Sequence, residues 1–115
     1  MPNLNLASLA YAAASVNRTT RQQEADIFRL VIARLQAARQ SGPMARVRAL
    51  ADNSRLWMSI SDLVRDDSNP LPPETRAGLV SIGLTVQREM DSAEPSFDFL
   101  ISINRHIAEG LSGNP

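Results

Sequence analysis

The sequence predicts an all-α protein, a compact single-domain bundle of five or six helices. Three observations carry that expectation. Apolar residues recur at three- and four-residue spacing through most of the chain, and no stretch alternates apolar and polar with strand chemistry. Aromatic residues make up only 4% of the 115 residues while apolar residues make up 43%, which suits a core of Leu, Ile, Val and Ala. Gly42-Pro43, the prolines at 70, 72 and 73, and Pro95 separate the periodic segments.

At the start, Leu6, Leu9, Ala10, Ala13 and Val16 share one side of a short, alanine-rich helix. An isolated helix of that length is marginal in water, so residues 1–17 are expected to form a short, detachable N-terminal helix beside a bundle core of residues 18–115. Thr20 followed by Gln23 has the spacing of a capping box and predicts a fresh helix start. From there Ile27, Leu30, Val31, Leu35 and Ala38 form the apolar stripe of a second helix. Ser41-Gly42-Pro43 ends it, with Pro43 suited to the first turn of the next.

The apolar face changes side within residues 43–67. Met44, Val47, Leu50 and Ala51 share one direction, and Leu56, Trp57, Ile60, Leu63 and Val64 another. Asp and Asn are good N-caps, so a break is expected at Asp52-Asn53. Pro70, Pro72 and Pro73 make 66–73 a loop, and Pro73-Glu74 fit a helix first turn. Leu79, Ile82, Gly83, Val86 and Met90 align on the following helix. Pro95-Ser96 start the last one, whose stripe is Phe97, Leu100, Ile101, Ile107, Ala108 and Leu111.

Two positions on these stripes are unusual. Asn104 falls in the middle of the last stripe, where a buried amide must find partners; a hydrogen bond near Asn53 or the 66–73 loop is the simplest outcome. Gly83 sits on an apolar face at a helix-propensity cost of about 1 kcal/mol relative to alanine, which close approach of a second helix would explain. Trp57, the one tryptophan, is expected to anchor the core.

The formal charge is zero, from 12 arginines and 12 acids with no lysine, but it is unevenly laid out. Residues 1–17 are uncharged, residues 18–55 carry a net +5 and residues 56–115 a net −5. Such asymmetry fits either a polyanion-binding face or two halves that neutralise each other. Arg29, Arg34 and Arg39 ring their helix instead of lining one side, and no aromatics interleave for base stacking. Pairing between the halves is therefore the favoured expectation, with RNA binding by the basic half as the alternative.

The parts of an enzyme are not found. Cysteine is absent, and the lone His106 lies on a polar face without a second histidine. Asp62 and Asp66 are one turn apart, but the run lacks the spacing of a calcium loop, so a solvated helix end is expected. No metal and no cofactor is expected. Nor is there a basic leader before an apolar run, or about 20 apolar residues in a row, so the chain reads as cytoplasmic.

Several of these residues occur together in a family pattern. Asp52-Asn53-Ser54-Arg55-Leu56-Trp57, the Asn69-Pro70-Leu71-Pro72 loop, Arg76, the run Leu79 to Leu84, and Ile103-Asn104 with Ile107 and Gly110-Leu111 resemble the bacterial flagellar regulator FlaF. Tyr11-Ala12 with Ala14, and Arg21 with Glu24-Ala25, resemble its N-terminal region. The resemblance implies a non-enzymatic protein that binds flagellin as a secretion chaperone, supports flagellin synthesis and filament assembly, and acts in balance with the translational repressor FlbT. Its motif positions here are Asn53, Arg55, Leu56, Trp57, Gly83 and Asn104. To these the apolar leader adds Leu6, Leu9 and Tyr11 as partner-binding candidates. The other readings are an RNA-binding translational regulator and a helical adaptor that dimerises through an exposed apolar stripe.

Overall fold

The computed structural model describes the backbone of residues 6–111 and the side chains of residues 22–111. It contains four helices and, among the described residues, no strand: α1 (Leu6–Ala38), α2 (Pro43–Arg65), α3 (Pro73–Met90) and α4 (Phe97–Leu111). The all-α expectation holds, but five or six helices become four. Both expected breaks are absent.

The first missing break is at residues 17–20. α1 runs unbroken for 33 residues, so a separate leader helix does not form and Thr20 starts nothing. Asn17-Arg18-Thr19-Thr20 is polar but holds neither glycine nor proline, so nothing in it forces the chain out of helix. The candidates Leu6, Leu9 and Tyr11 lie on this helical backbone; their side chains fall outside the described residues.

The second is at Asp52-Asn53. α2 is continuous because Asn53 is a member of its buried face and not a cap: Ala49, Asn53, Trp57 and Val64 fall within one arc and are all buried. Counting Asn53 as polar splits that stripe in two. Met44 and Val47, expected on an apolar contact face, are 64% and 59% exposed.

The helix ends follow their local chemistry. Gly42 caps α2 with Pro43 in its first turn, and Pro73 and Glu74 open α3. Ser96 caps α4, its hydroxyl accepting the Phe99 amide at 3.2 Å. Asn69 Nδ2 donates to the Leu63 carbonyl at 2.9 Å, while Arg76 donates to the carbonyls of Val64 and Asp66 at 2.7 and 2.8 Å. Those bonds satisfy groups that a helix C-terminus leaves unpaired.

α4 packs along α1, α3 along α2, and α1 meets α2. The pairings Phe28–Trp57 and Arg34–Asp52 make α1 and α2 antiparallel. At about 1.5 Å per residue α1 is about 50 Å long and α4 about 22 Å, so α4 flanks less than half of it. The core gathers Phe28, Ile32 and Leu35 of α1, Trp57 of α2, Val86 of α3, and Phe97, Leu100 and Ile101 of α4.

Gly83 sits where α3 packs tightly on α2. A Cβ there would stand 3.2 Å from Ser61 Oγ and 3.6 Å from Trp57 Cε3. Gly83→Val is therefore expected to force the two helices apart and to lower stability by about 1–3 kcal/mol, read as a lower urea midpoint. An unchanged midpoint would show that the close approach is not required.

Four ion pairs occur among the described residues. Arg39–Asp98 joins the basic and acidic halves, whereas Arg29–Asp26, Arg34–Asp52 and Arg55–Asp52 stay inside the basic half. Of these four pairs, one therefore neutralises across the halves and three within one. Arg46 instead stands over the Phe97 ring, 4.6 Å from its centroid, and donates to the Arg39 carbonyl at the end of α1. No helix of the described residues is long and apolar enough to cross a membrane.

Candidate functional site

Two helices carry more apolar surface than the core uses. On α1 the buried residues are Ala25, Phe28, Val31, Ile32, Leu35 and Ala38, a face turned about 90° from Ile27. Ile27 and Leu30, expected on the core stripe, are instead 51% and 50% exposed. On α2, Trp57 and Val64 enter the core while Leu63 is 59% exposed and Leu56 and Ile60 are half-buried. Each helix therefore has a second apolar strip beside its core face, and the two strips face one another.

Between them lies an open groove of about 570 Å³. Phe28, Val31, Leu56 and Ile60 line it, Ile27, Leu30 and Leu63 stand exposed at it, and Leu71, Leu79, Ile107 and Leu111 contribute from the other elements. Exposed apolar surface gathered into one concavity, not scattered singly, is the usual mark of an interaction site.

Charge is confined to the ends. Arg34 and Arg55 both reach the Asp52 carboxylate, at 3.0 and 3.3 Å, and all three line the groove. Glu24 lines it ten residues away along α1, about 15 Å by helix rise. At that second end Asn69 and Leu71 come from a short, well-bonded turn. The Leu71 amide donates to Asn69 Oδ1 at 3.0 Å. Asp66 Oδ1 accepts from the Ser68 hydroxyl at 2.7 Å and its amide at 2.9 Å. These bonds, helped by the nearby Arg76 guanidinium, hold the Asp66 carboxyl below the usual carboxylate range.

Behind the groove runs a buried polar chain. Trp57 Nε1 donates to Asn104 Oδ1 at 2.8 Å, Asn104 Nδ2 donates to Asn53 Oδ1 at 2.7 Å, and Asn53 Nδ2 donates to Met90 Sδ at 3.2 Å. Both asparagines and the tryptophan are fully buried. The chain links α2, α4 and α3, and no buried side-chain nitrogen or oxygen among the described residues lacks a partner. Trp57 also meets the Phe28 ring edge-on, with centroids 6.1 Å apart.

The structure divides the sequence-derived candidates. Asn53, Trp57 and Asn104 form the buried chain, Gly83 makes the α2–α3 contact, and, among the candidates whose side chains are described, only Arg55 and Leu56 reach the groove. Asn104 does find a partner at Asn53, but within the continuous α2 and not at a helix end or loop, and its second partner is Trp57. His106 is exposed on α4, its Nδ1 2.7 Å from the Ser102 carbonyl. Sequence reading missed Ile27, Leu30 and Leu63 as groove residues because it assigned them to the core. The available signal was width: the apolar arc on each helix is broader than one packing face needs.

Fold and site together define a small all-α protein with an open apolar groove between two antiparallel helices. The chain belongs to the flagellar protein FlaF family, whose sequence model matches residues 7–111. No curated protein and no solved structure matches it.

Proposed function

We propose that this FlaF-family protein is a non-enzymatic cytoplasmic chaperone that holds an amphipathic segment of flagellin in the α1–α2 groove, and that it supports flagellin synthesis and filament assembly in this way. The observation that carries the reading is the groove itself, with Ile27, Leu30 and Leu63 about half exposed. Helix-in-groove recognition works by burying the apolar face of a partner helix, and an unassembled flagellin segment needs such cover. A chain that binds flagellin can change flagellin synthesis by sequestration or release, with the repressor FlbT as a second expected partner.

Leu30→Glu tests the reading. It places a charge in the groove at a half-exposed position outside the core, so the melting curve by circular dichroism should stay within a few degrees of wild type. Affinity for purified flagellin, by calorimetry, should fall at least tenfold. Unchanged affinity would remove the groove from flagellin binding.

The basic half offers less to RNA: Arg29 and Arg39 are each paired with an aspartate, Arg46 stands over an aromatic ring, and the Arg34–Asp52–Arg55 group holds a net charge of only +1. RNA retention that falls steeply with salt, without flagellin capture, would restore that reading.

A further inference from the structure

We infer that the groove also reads charge: its Arg34–Asp52–Arg55 end is a carboxylate-binding subsite that selects amphipathic helices carrying an acidic residue at one end of their apolar face. The inference rests on the groove being a helix-docking site. Two guanidinium groups share a single carboxylate there, Arg34 from α1 at 3.0 Å and Arg55 from α2 at 3.3 Å, which leaves a net charge of +1. Both arginine side chains remain more than half exposed, at 54% and 74%, so donors that Asp52 does not occupy face the solvent. An apolar helix laid on Leu30 and Leu56 would bring its end residue beside them.

The opposite end carries the opposite sign. Glu24 lies about 15 Å away along α1 and disfavours a second carboxylate. Among the described groove residues an acidic residue on the occupant therefore has one place to go, which holds the occupant in one direction. A helix with its acid toward its C-terminus runs parallel to α1; one with its acid toward its N-terminus runs antiparallel. Apolar contact supplies the attraction, and the charged end supplies register and selection.

The test uses two synthetic 14-residue amphipathic helices with the same apolar face, one with a terminal glutamate on that face and one with glutamine in its place. Wild-type protein should bind the glutamate peptide about fivefold more tightly, a preference that shrinks as salt is raised. The double variant Arg34→Gln, Arg55→Gln should bind the two peptides equally, whatever its overall affinity; a preference that survives in it would overturn the assignment. Asp52→Asn should enlarge the preference, because both guanidinium groups are released to the occupant; a merely structural role for Asp52 would not do this. Equal affinities of wild type for the two peptides would overturn the charge reading while leaving the groove a docking site. Failure of both peptides to bind would overturn the docking reading and this inference with it.

Discussion

Trp57→Ala is expected to destabilise the protein by about 3–5 kcal/mol. Domains of this size are stable by only about 5–15 kcal/mol, so the variant should sit close to its unfolding threshold. Trp57 is completely buried, packs against Phe28, and lies 3.6 Å from where a Cβ on Gly83 would stand. Alanine leaves a cavity at the meeting of α1, α2 and α3 that backbone shifts fill only in part. It also strands Asn104 Oδ1 without its donor. Trp57→Phe separates these two losses. It keeps most of the packing and removes the indole N–H, and its cost should be closer to 1–3 kcal/mol, roughly that of one unsatisfied buried acceptor. Urea unfolding followed at 222 nm measures both. A loss below about 1 kcal/mol for alanine would mean that the core does not depend on this side chain.

Asn104→Leu should be nearly as damaging although leucine suits an apolar stripe. The substitution orphans two groups at once, the Trp57 N–H and Asn53 Oδ1. Each costs about 1–3 kcal/mol when buried without a partner, so a loss of about 2–5 kcal/mol is expected. The double variant Asn53→Leu, Asn104→Leu should then cost clearly less than the sum of its parts, because the second change removes one of the orphans. Residues in one hydrogen-bonded chain show coupling of about 0.5–3 kcal/mol in such cycles. Strict additivity would contradict the chain. A slip of α4 by one turn would break it, which is how a satisfied buried network specifies a single arrangement of helices.

These effects bear on how much the sequence reveals. The helix ends at Gly42-Pro43, Pro73-Glu74 and Ser96 were legible because capping is local chemistry, decided by one or two residues. Asn104 and its neighbour Asn53 were legible in part, since a polar residue amid an apolar stripe asks for a partner. The same Asn53 misled the reading of α2: a residue type that makes a good cap was a core member, and only the partner chain segment could tell the two apart. Residues 17–20 misled in a different way, because signals that permit a helix start do not compel one when no breaker is present. The groove was the least legible. Which of two adjacent apolar strips on α1 turns inward depends on how α4 and α2 settle against it, and that information lies far away along the chain.

The position of the lone tryptophan has an optical consequence. Its indole is shielded from water, hydrogen-bonded to Asn104 and set edge-on to Phe28, whose ring also lines the groove. The chromophore is thus one ring removed from whatever lies in the groove and touches nothing that must be altered to observe it. Its emission is expected to be blue-shifted, as for an indole shielded from water, and to change when an occupant presses on Phe28. The same packing that holds α1 against α2 thus places a native fluorophore where binding in the groove is expected to be read without any label.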